Sequence, residues 1–397
     1  MDFPPFHMDR WLNRIEARRS GQGWDLASST GPKFTLSELL ALVGEPEALE
    51  RLLALPLTYA AMEGGEELRA AIAQAEGVAA DDVLVVTGAA EGLLILFALA
   101  AEPGANVVLP HPDFPAMTAL AHGFGLEVRH YGLDRRSGFR LDPEAVAALS
   151  DARTRMILVI SPHNPTGAVV GEAELGWLHD FCESRRMPLV CDQVYHPIYY
   201  GDARPSATRL PGAIVLGDCS KALCLSGLRV GWIVDRDAER REREADAKGY
   251  FTISNTALGE ALAVRAVRHR DRILARARQV AATNLPALED FFARHEDLLG
   301  WVRPEGGFTA FPWLQDGRDA TALCTALDEH GVGVLPGATM DAPAHFRIGF
   351  GASGERFSGG LRAFDSFLEN WPGTKRTLVP DPEMKRTRQP RAPTGGP

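Results

Sequence analysis

Lysine is nearly absent from this chain: of 42 basic residues only five are lysine, Lys33, Lys221, Lys248, Lys375 and Lys385. Cysteine is scarce as well; the five (Cys182, Cys191, Cys219, Cys224 and Cys324) form no CxxC pair and are odd in number. That excludes a disulfide frame or a cysteine zinc site and suggests thiols of a reducing compartment. No apolar stretch approaches the roughly 20 residues that span a bilayer; the longest runs only over 93–101. The opening MDFPPFHMDR has no basic segment followed by an apolar one, so no secretory signal is expected and a cytoplasmic location is. A surplus of positive charge is missing too. The formal net charge is −10, which argues against nucleic acid or an anionic membrane as partner. What is present, 397 residues of which 45% are hydrophobic, suffices for a large core and two domains.

The chain uses arginine wherever a positive charge alone is needed, which makes Lys221 conspicuous. It lies in the apolar segment VLGDCSKALCLSG. A lysine kept there suggests amine chemistry, because a guanidinium does not deprotonate to form a Schiff base. The plainer reading is a lysine left by drift.

Short apolar runs at 83–86, 106–109, 127–131, 156–160, 189–191, 214–216 and 230–234 read as strands. Helix-length segments at 90–101, 115–123, 143–149 and 172–186 lie between several of them. Buried strands alternating with helices predict an α/β fold with a mainly parallel sheet covered on both faces. Residues 257–292 read as helical throughout, long enough to bridge two domains. Beyond them, strands at 299–313, 332–335 and 345–349 with a helix at 320–330 predict a smaller α+β unit. The domain plan is an N-terminal arm joined to the small unit (1–45), a large domain (46–270) and a small domain (271–372). Residues 373–397, with five prolines and six basic residues, read as a disordered tail. The tail carries +4, so residues 1–372 stand at −14.

In doubly wound sheets ligands bind beyond the carboxyl ends of the strands, where this chain keeps its unusual residues. Thr87-Gly88-Ala89-Ala90 opens a helix after the first run and is either a phosphate-binding turn or simply a tight one. Ser161-Pro162-His163-Asn164-Pro165 presents Asn164, or forms an ordinary Asn-Pro turn. Asp192, at the end of a buried run, needs a cation; that is either a structural ion pair or a protonated ring nitrogen of a bound group. Ser220, Lys221 and Arg229 follow the sixth run. Arg229 suits bidentate phosphate binding, or is one more surface arginine.

The order of these signals, with TYAAMEGGEELRAAI, VTGAAEGL, PDFPAM, SPHNPTGAV, CDQVY, SKALCLSGLRVGW, PEGGFTAF, GVGVLPG and FRIGF, resembles the class I/II aminotransferase family of pyridoxal-phosphate (PLP) enzymes. The likeness covers about residues 30–372. It implies fold type I: a large domain with a mixed, mainly parallel seven-stranded sheet flanked by helices, plus a smaller α+β domain. It implies PLP as cofactor, Lys221 as the lysine that forms the Schiff base and then moves protons, and Asp192 as partner of the pyridine nitrogen. Asn164 and Tyr195 would bond the ring hydroxyl and Phe114 would stack on the ring. Ala89, Ala90, Ser220 and Arg229 would hold the phosphate, and Tyr59 would reach the phosphate of a partner subunit in a homodimer. Arg347 would grip the substrate carboxylate, with Asn164 beside it. Catalysis would fall to Lys221, Asp192 and Tyr195, with no metal.

The resemblance therefore implies an aminotransferase passing the amino group of an amino acid to a 2-oxo acid. A lyase or cyclase reworking an amino-acid side chain, of the capreomycidine-synthase type, is the alternative. A non-catalytic relative is a third reading, opposed by the intact Lys221, Asp192 and Tyr195. Two departures stand out. Asp218 occupies the position three before the lysine where the family has Ser or Thr, and 24–31 (WDLASSTG) lacks the family's glycine-rich wording.

Overall fold

The computed structural model describes residues 3–18, 23–45 and 47–371. The expected tail at 373–397 lies outside the described residues.

Seven strands form the central sheet: β1 (Val83–Val86), β2 (Asn106–His111), β3 (Glu127–Gly132), β4 (Thr154–Ile160), β5 (Leu189–Asp192), β6 (Ile214–Asp218) and β7 (Gly231–Val234). Their spatial order is β1-β7-β6-β5-β4-β2-β3. Only β7 runs against its neighbours, antiparallel to β1 and β6; the other pairs are parallel. The sheet is thus mixed and mainly parallel. β1 and β5 to β7 are buried along their whole length. They read as continuous apolar runs because both faces are covered. One face packs on helix Ala89–Ala100 through Leu84, Val86, Leu93 and Phe97. The other packs on helices Glu66–Glu76 and Glu172–Arg185 through Ile72, Leu178, Val85 and Val159.

The helical stretch expected over 257–292 is two helices, Ala257–Arg268 and Arg270–Arg294. His269 separates them by leaving helical geometry at φ −108 and ψ 23. Apolar periodicity does not mark that break, since no Gly or Pro stands there. The strand expected over 299–313 shrinks to the two-residue pieces Leu299–Gly300, Thr309–Ala310 and Trp313–Leu314. Between them the backbone spends its hydrogen bonds elsewhere: Glu305 N and Gly306 N both donate to the Gly167 carbonyl, at 2.8 and 3.0 Å. Residues 304–307 thereby brace the Asn164 loop.

Thr309–Ala310 and Leu335–Pro336 pair antiparallel with the two sides of Phe346–Gly349. Helices Thr321–Glu329 and Glu355–Asn370 complete this C-terminal unit. Trp24–Asp25 adds parallel to Val332–Gly333, and Gly349 N donates to the Leu26 carbonyl at 2.7 Å. The N-terminal segment is thereby strapped to the strand that carries Arg347. No helix among the described residues is long and apolar enough to cross a membrane.

Candidate active site

The parallel register sets Ile160 beside Asp192 and Asp192 beside Leu216, so β4 and β5 end level and β6 runs two residues further, to Asp218. The residues just past those ends converge on one cleft. Lys221 Nζ donates to Ser29 Oγ at 2.8 Å. It stands over the Tyr195 ring, 5.9 Å from the centroid. Tyr195 is buried and its hydroxyl donates to the Ser29 carbonyl at 2.9 Å. Ser29 thus holds both residues, and it sits in the departing segment 24–31. The sequence carried no signal for it: it lies far upstream and matches no family wording.

Arg347 is 1% exposed. Its Nη1 donates to Asn164 Oδ1 at 3.1 Å and its Nη2 to the Ala27 carbonyl at 2.8 Å. Its Nε is buried, with no hydrogen-bond partner among the described residues. A buried guanidinium with an unmet donor is a binding group for an anion the protein itself does not supply. Asn164 is buried, in a loop closed by Gly167 N donating to the His163 carbonyl at 2.7 Å. His163 packs beneath, Nδ1 2.8 Å from Thr166 Oγ1, and burial lowers it to about 3, so it is neutral.

The electrostatics follow from burial. Asp192 is raised to about 7 by burial, with the nearby Asp218 charge adding; the Val194 N–H, bonded to it at 3.2 Å, and Lys221 oppose. Lys221 is lowered to about 8 by burial, which outweighs the pull of Asp218. Tyr195 is pushed up to about 12 by burial. Among the described residues no ion pair meets this buried carboxylate, and Lys221 acts on it only at longer range.

A cradle forms on the same side. Helix Ala89–Ala100 starts just after Gly88, whose φ is +75 and whose missing side chain leaves room for Arg229: a Cβ there would lie 2.5 Å from Arg229 Nη2. Arg229 Nη1 reaches Ser220 Oγ and Nη2 the Thr87 carbonyl, both at 3.4 Å. Ala89 N–H and Ala90 N–H open the helix here, a ready anion site. Phe114 is half-buried and meets Phe6 edge-on at 6.0 Å. Tyr59 stands apart, 82% exposed on the surface, and among the described residues no hydrogen bond joins it to the cluster.

The lysine count singled out Lys221, but Lys248 is buried more completely still. It is a structural cation, donating to the Met62 carbonyl at 2.5 Å and to Asn255 Oδ1 at 2.9 Å. Lys33 is exposed.

Residues 56–357 match the family described as aminotransferase class I and II. The chain is 31% identical to a capreomycidine synthase of Streptomyces vinaceus over 87% of this chain and 89% of that protein. It is 28% identical to an arginine–pyruvate transaminase of Pseudomonas aeruginosa, over 84% and 91%. Its structure resembles a PLP-dependent aminotransferase of Streptococcus suis with TM-score 0.86 at 27% identity, covering 93% of this chain and 98% of that one. It also resembles the PLP-dependent cyclase OrfR, TM-score 0.82 at 28% identity, over 93% and 98%. The chain belongs to the class I and II aminotransferase family of PLP-dependent enzymes and has their fold type I architecture.

Proposed function

We propose that this protein is a homodimeric, cytoplasmic PLP-dependent aminotransferase that moves the α-amino group of an amino acid to a 2-oxo acid. The observation that carries the reading is the convergence of Lys221, Asp192, Asn164 and Arg347 on one cleft beside an anion cradle. The residues present fit PLP. The cradle of Gly88, Ala89, Ala90, Ser220 and Arg229 supplies donors for a phosphate, and buried Asp192 lacks the cation that a pyridinium nitrogen supplies. When bound, PLP supplies an electron sink that acidifies the substrate α-proton.

The chain's own residues do the rest. Lys221 would hold the cofactor covalently, and its lowered proton affinity lets it exist as the free amine that accepts and returns a proton near neutral pH. Asp192 would keep the ring nitrogen protonated. Asn164 and Tyr195 would bond the ring hydroxyl, and Phe114 would cover the ring. Arg347, pinned by Asn164 and Ala27, would present its fork to the substrate carboxylate.

Exposed apolar side chains support the dimer. Leu53, Leu57, Tyr59, Tyr250 and Ile253 are 79, 87, 82, 91 and 53% exposed. The Lys248–Met62 hydrogen bond ties together the two segments that carry them, and a cluster of exposed apolar side chains marks an interaction surface. A second copy would cover this face and bring Tyr59 to its partner's phosphate cradle. Residues 46–270 and 271–372 would form the large and small domains, with 1–45 as the arm.

A second reading, cyclisation or elimination on the substrate side chain, draws on the similarity to a capreomycidine synthase and to a cyclase. One experiment separates them. For a transaminase, an amino acid alone converts the holoenzyme's yellow band to the near-ultraviolet band of the amine cofactor in one turnover, and a 2-oxo acid restores it. Sustained product formation without any oxo acid, the yellow band persisting, establishes the second reading and refutes the first.

A further inference from the structure

Asp218 stands where relatives place a hydroxyl that donates to the cofactor phosphate, yet an ionised carboxylate only accepts. It is 8% exposed at the last position of β6, and its cross-strand partner is Gly231. Opposed residues of an antiparallel pair project to the same face. A Cβ on Gly231 would lie 2.7 Å from Ala89 N and 2.7 Å from Gly88 C, so that face is the phosphate cradle. Asp218 Oδ1 accepts from Ser220 N at 2.9 Å and Lys221 N at 3.3 Å, which shapes the turn that aims Lys221. The amides bond Oδ1, so Oδ2 is the oxygen that would take a proton.

The charges around it are few. Lys221 and Cys219 share its turn, and Asp192 and Tyr195 face it from the end of β5 and beyond. Arg229 approaches from the segment before β7, through Ser220. Glu91, in the first turn of helix Ala89–Ala100, has its oxygens taken by Thr87 N and Thr252 Oγ1, both at 2.5 Å. Against a phosphate of nearly two negative charges, the cradle sets one arginine and a helix end worth about half a positive charge. Lys221 adds at most one more positive charge, so a third negative charge in the same buried space still leaves the site short of cations.

We propose that Asp218 takes up one proton when the cofactor phosphate enters the cradle, and that the neutral carboxylic acid donates the hydrogen bond a Ser or Thr gives in relatives. Cofactor binding is then coupled to proton uptake from solvent. Burial already raises Asp218 above the ordinary carboxylate range, against the pull of Lys221 and the Ser220 hydroxyl. The idea rests on the PLP reading above and deepens it at one residue.

The experiment compares PLP affinity of the apo wild type with Asp218→Asn and Asp218→Ser between pH 6 and 9, by equilibrium dialysis. Both replacements donate at any pH, and the amide can keep the cap on Ser220 and Lys221. The phosphate, Lys221 and Asp192 titrate in all three proteins, and both replacements take the same charge from beside Lys221 and Asp192, so the protons taken up per PLP bound are the readout that reports Asp218. Wild-type affinity should fall with rising pH more steeply than in either variant, by up to about tenfold per pH unit for one proton. In weak buffer, PLP should draw about one more proton from solution into the wild type than into the variants. Parallel affinity curves with equal proton uptake overturn the proposal while leaving the cofactor assignment intact. Failure of all three proteins to bind PLP overturns the function itself.

Discussion

Replacing Asp192 by Asn should stabilise the apoenzyme while disabling the holoenzyme, and the stabilisation should grow with pH. Asp192 is raised from 3.8 to about 7, chiefly by burial. An acid whose folded value is raised contributes stability that is fully present below its unfolded value and lost as pH rises through the folded one. For this group the loss runs from pH 3.8 to about 7. At roughly 1.4 kcal/mol per pH unit, ionised Asp192 costs the apoenzyme about 4 kcal/mol at pH 8.5, against about 1.5 kcal/mol at pH 5. The gap between Asp192→Asn and wild type should therefore widen by about 2–3 kcal/mol over that span. Size and packing differences between Asn and Asp cancel in the widening. The assay is urea unfolding of both apoproteins at pH 5 and 8.5, at one protein concentration because the assembly contributes. Added PLP should shrink the pH slope of the wild type alone, since a pyridinium nitrogen supplies the missing cation. A gap unchanged between the two pH values would show that Asp192 already has its counter-charge within the protein, and would remove the reason to assign it to a ring nitrogen.

Arg347→Lys loses both the two terminal nitrogens that bond Asn164 and Ala27 and the Nε donor that is open to a ligand. One or two charge-assisted bonds at about 1.5–3 kcal/mol each translate to a KM for the amino donor raised at least about tenfold, with cofactor content unchanged; equal turnover by wild type of an amine lacking the carboxylate would contradict this. Gly231→Ala puts a Cβ 2.7 Å from Ala89 N. The overpacking, about 1–3 kcal/mol, falls on the cradle, so PLP should dialyse away about tenfold or more faster, and retention at the wild-type rate would disprove the cradle. The double substitution Leu57→Asp with Tyr250→Glu should give a monomer by light scattering with little activity; a wild type that is itself monomeric would refute the shared site.

Much of the sheet was legible because its inner strands are buried on both faces and so read as unbroken apolar runs. All seven strands fall where strands were expected, with ends differing by at most two residues, although the edge strand Glu127–Gly132 is mostly exposed or half-buried and polar. The direction of β7 was not legible, since an apolar run such as Gly231–Val234 looks the same in either direction. The break at His269 was hidden for a related reason: helical periodicity continues across it, and only tertiary packing turns the chain there. At the site, Lys221 was visible by contrast with an arginine-rich background. The same contrast could not tell it from Lys248, because burial on a helix leaves no mark on composition. Ser29 and the Ala27 carbonyl were invisible. They enter the cleft through strand pairing of Trp24–Asp25 with Val332–Gly333, a contact of long sequence separation that no local pattern encodes. Asp218 was conspicuous as a departure, but its hold on the Ser220 and Lys221 amides emerges only from the turn geometry.

The most direct test is to reduce the purified holoenzyme with borohydride and map the modified lysine by peptide mass spectrometry. Reduction should bleach the yellow band and leave one pyridoxyl group per chain on Lys221, the lysine whose amine faces Ser29 in the cleft. An adduct on Lys33 or Lys248, or a colourless protein that yields none, would contradict the central claim.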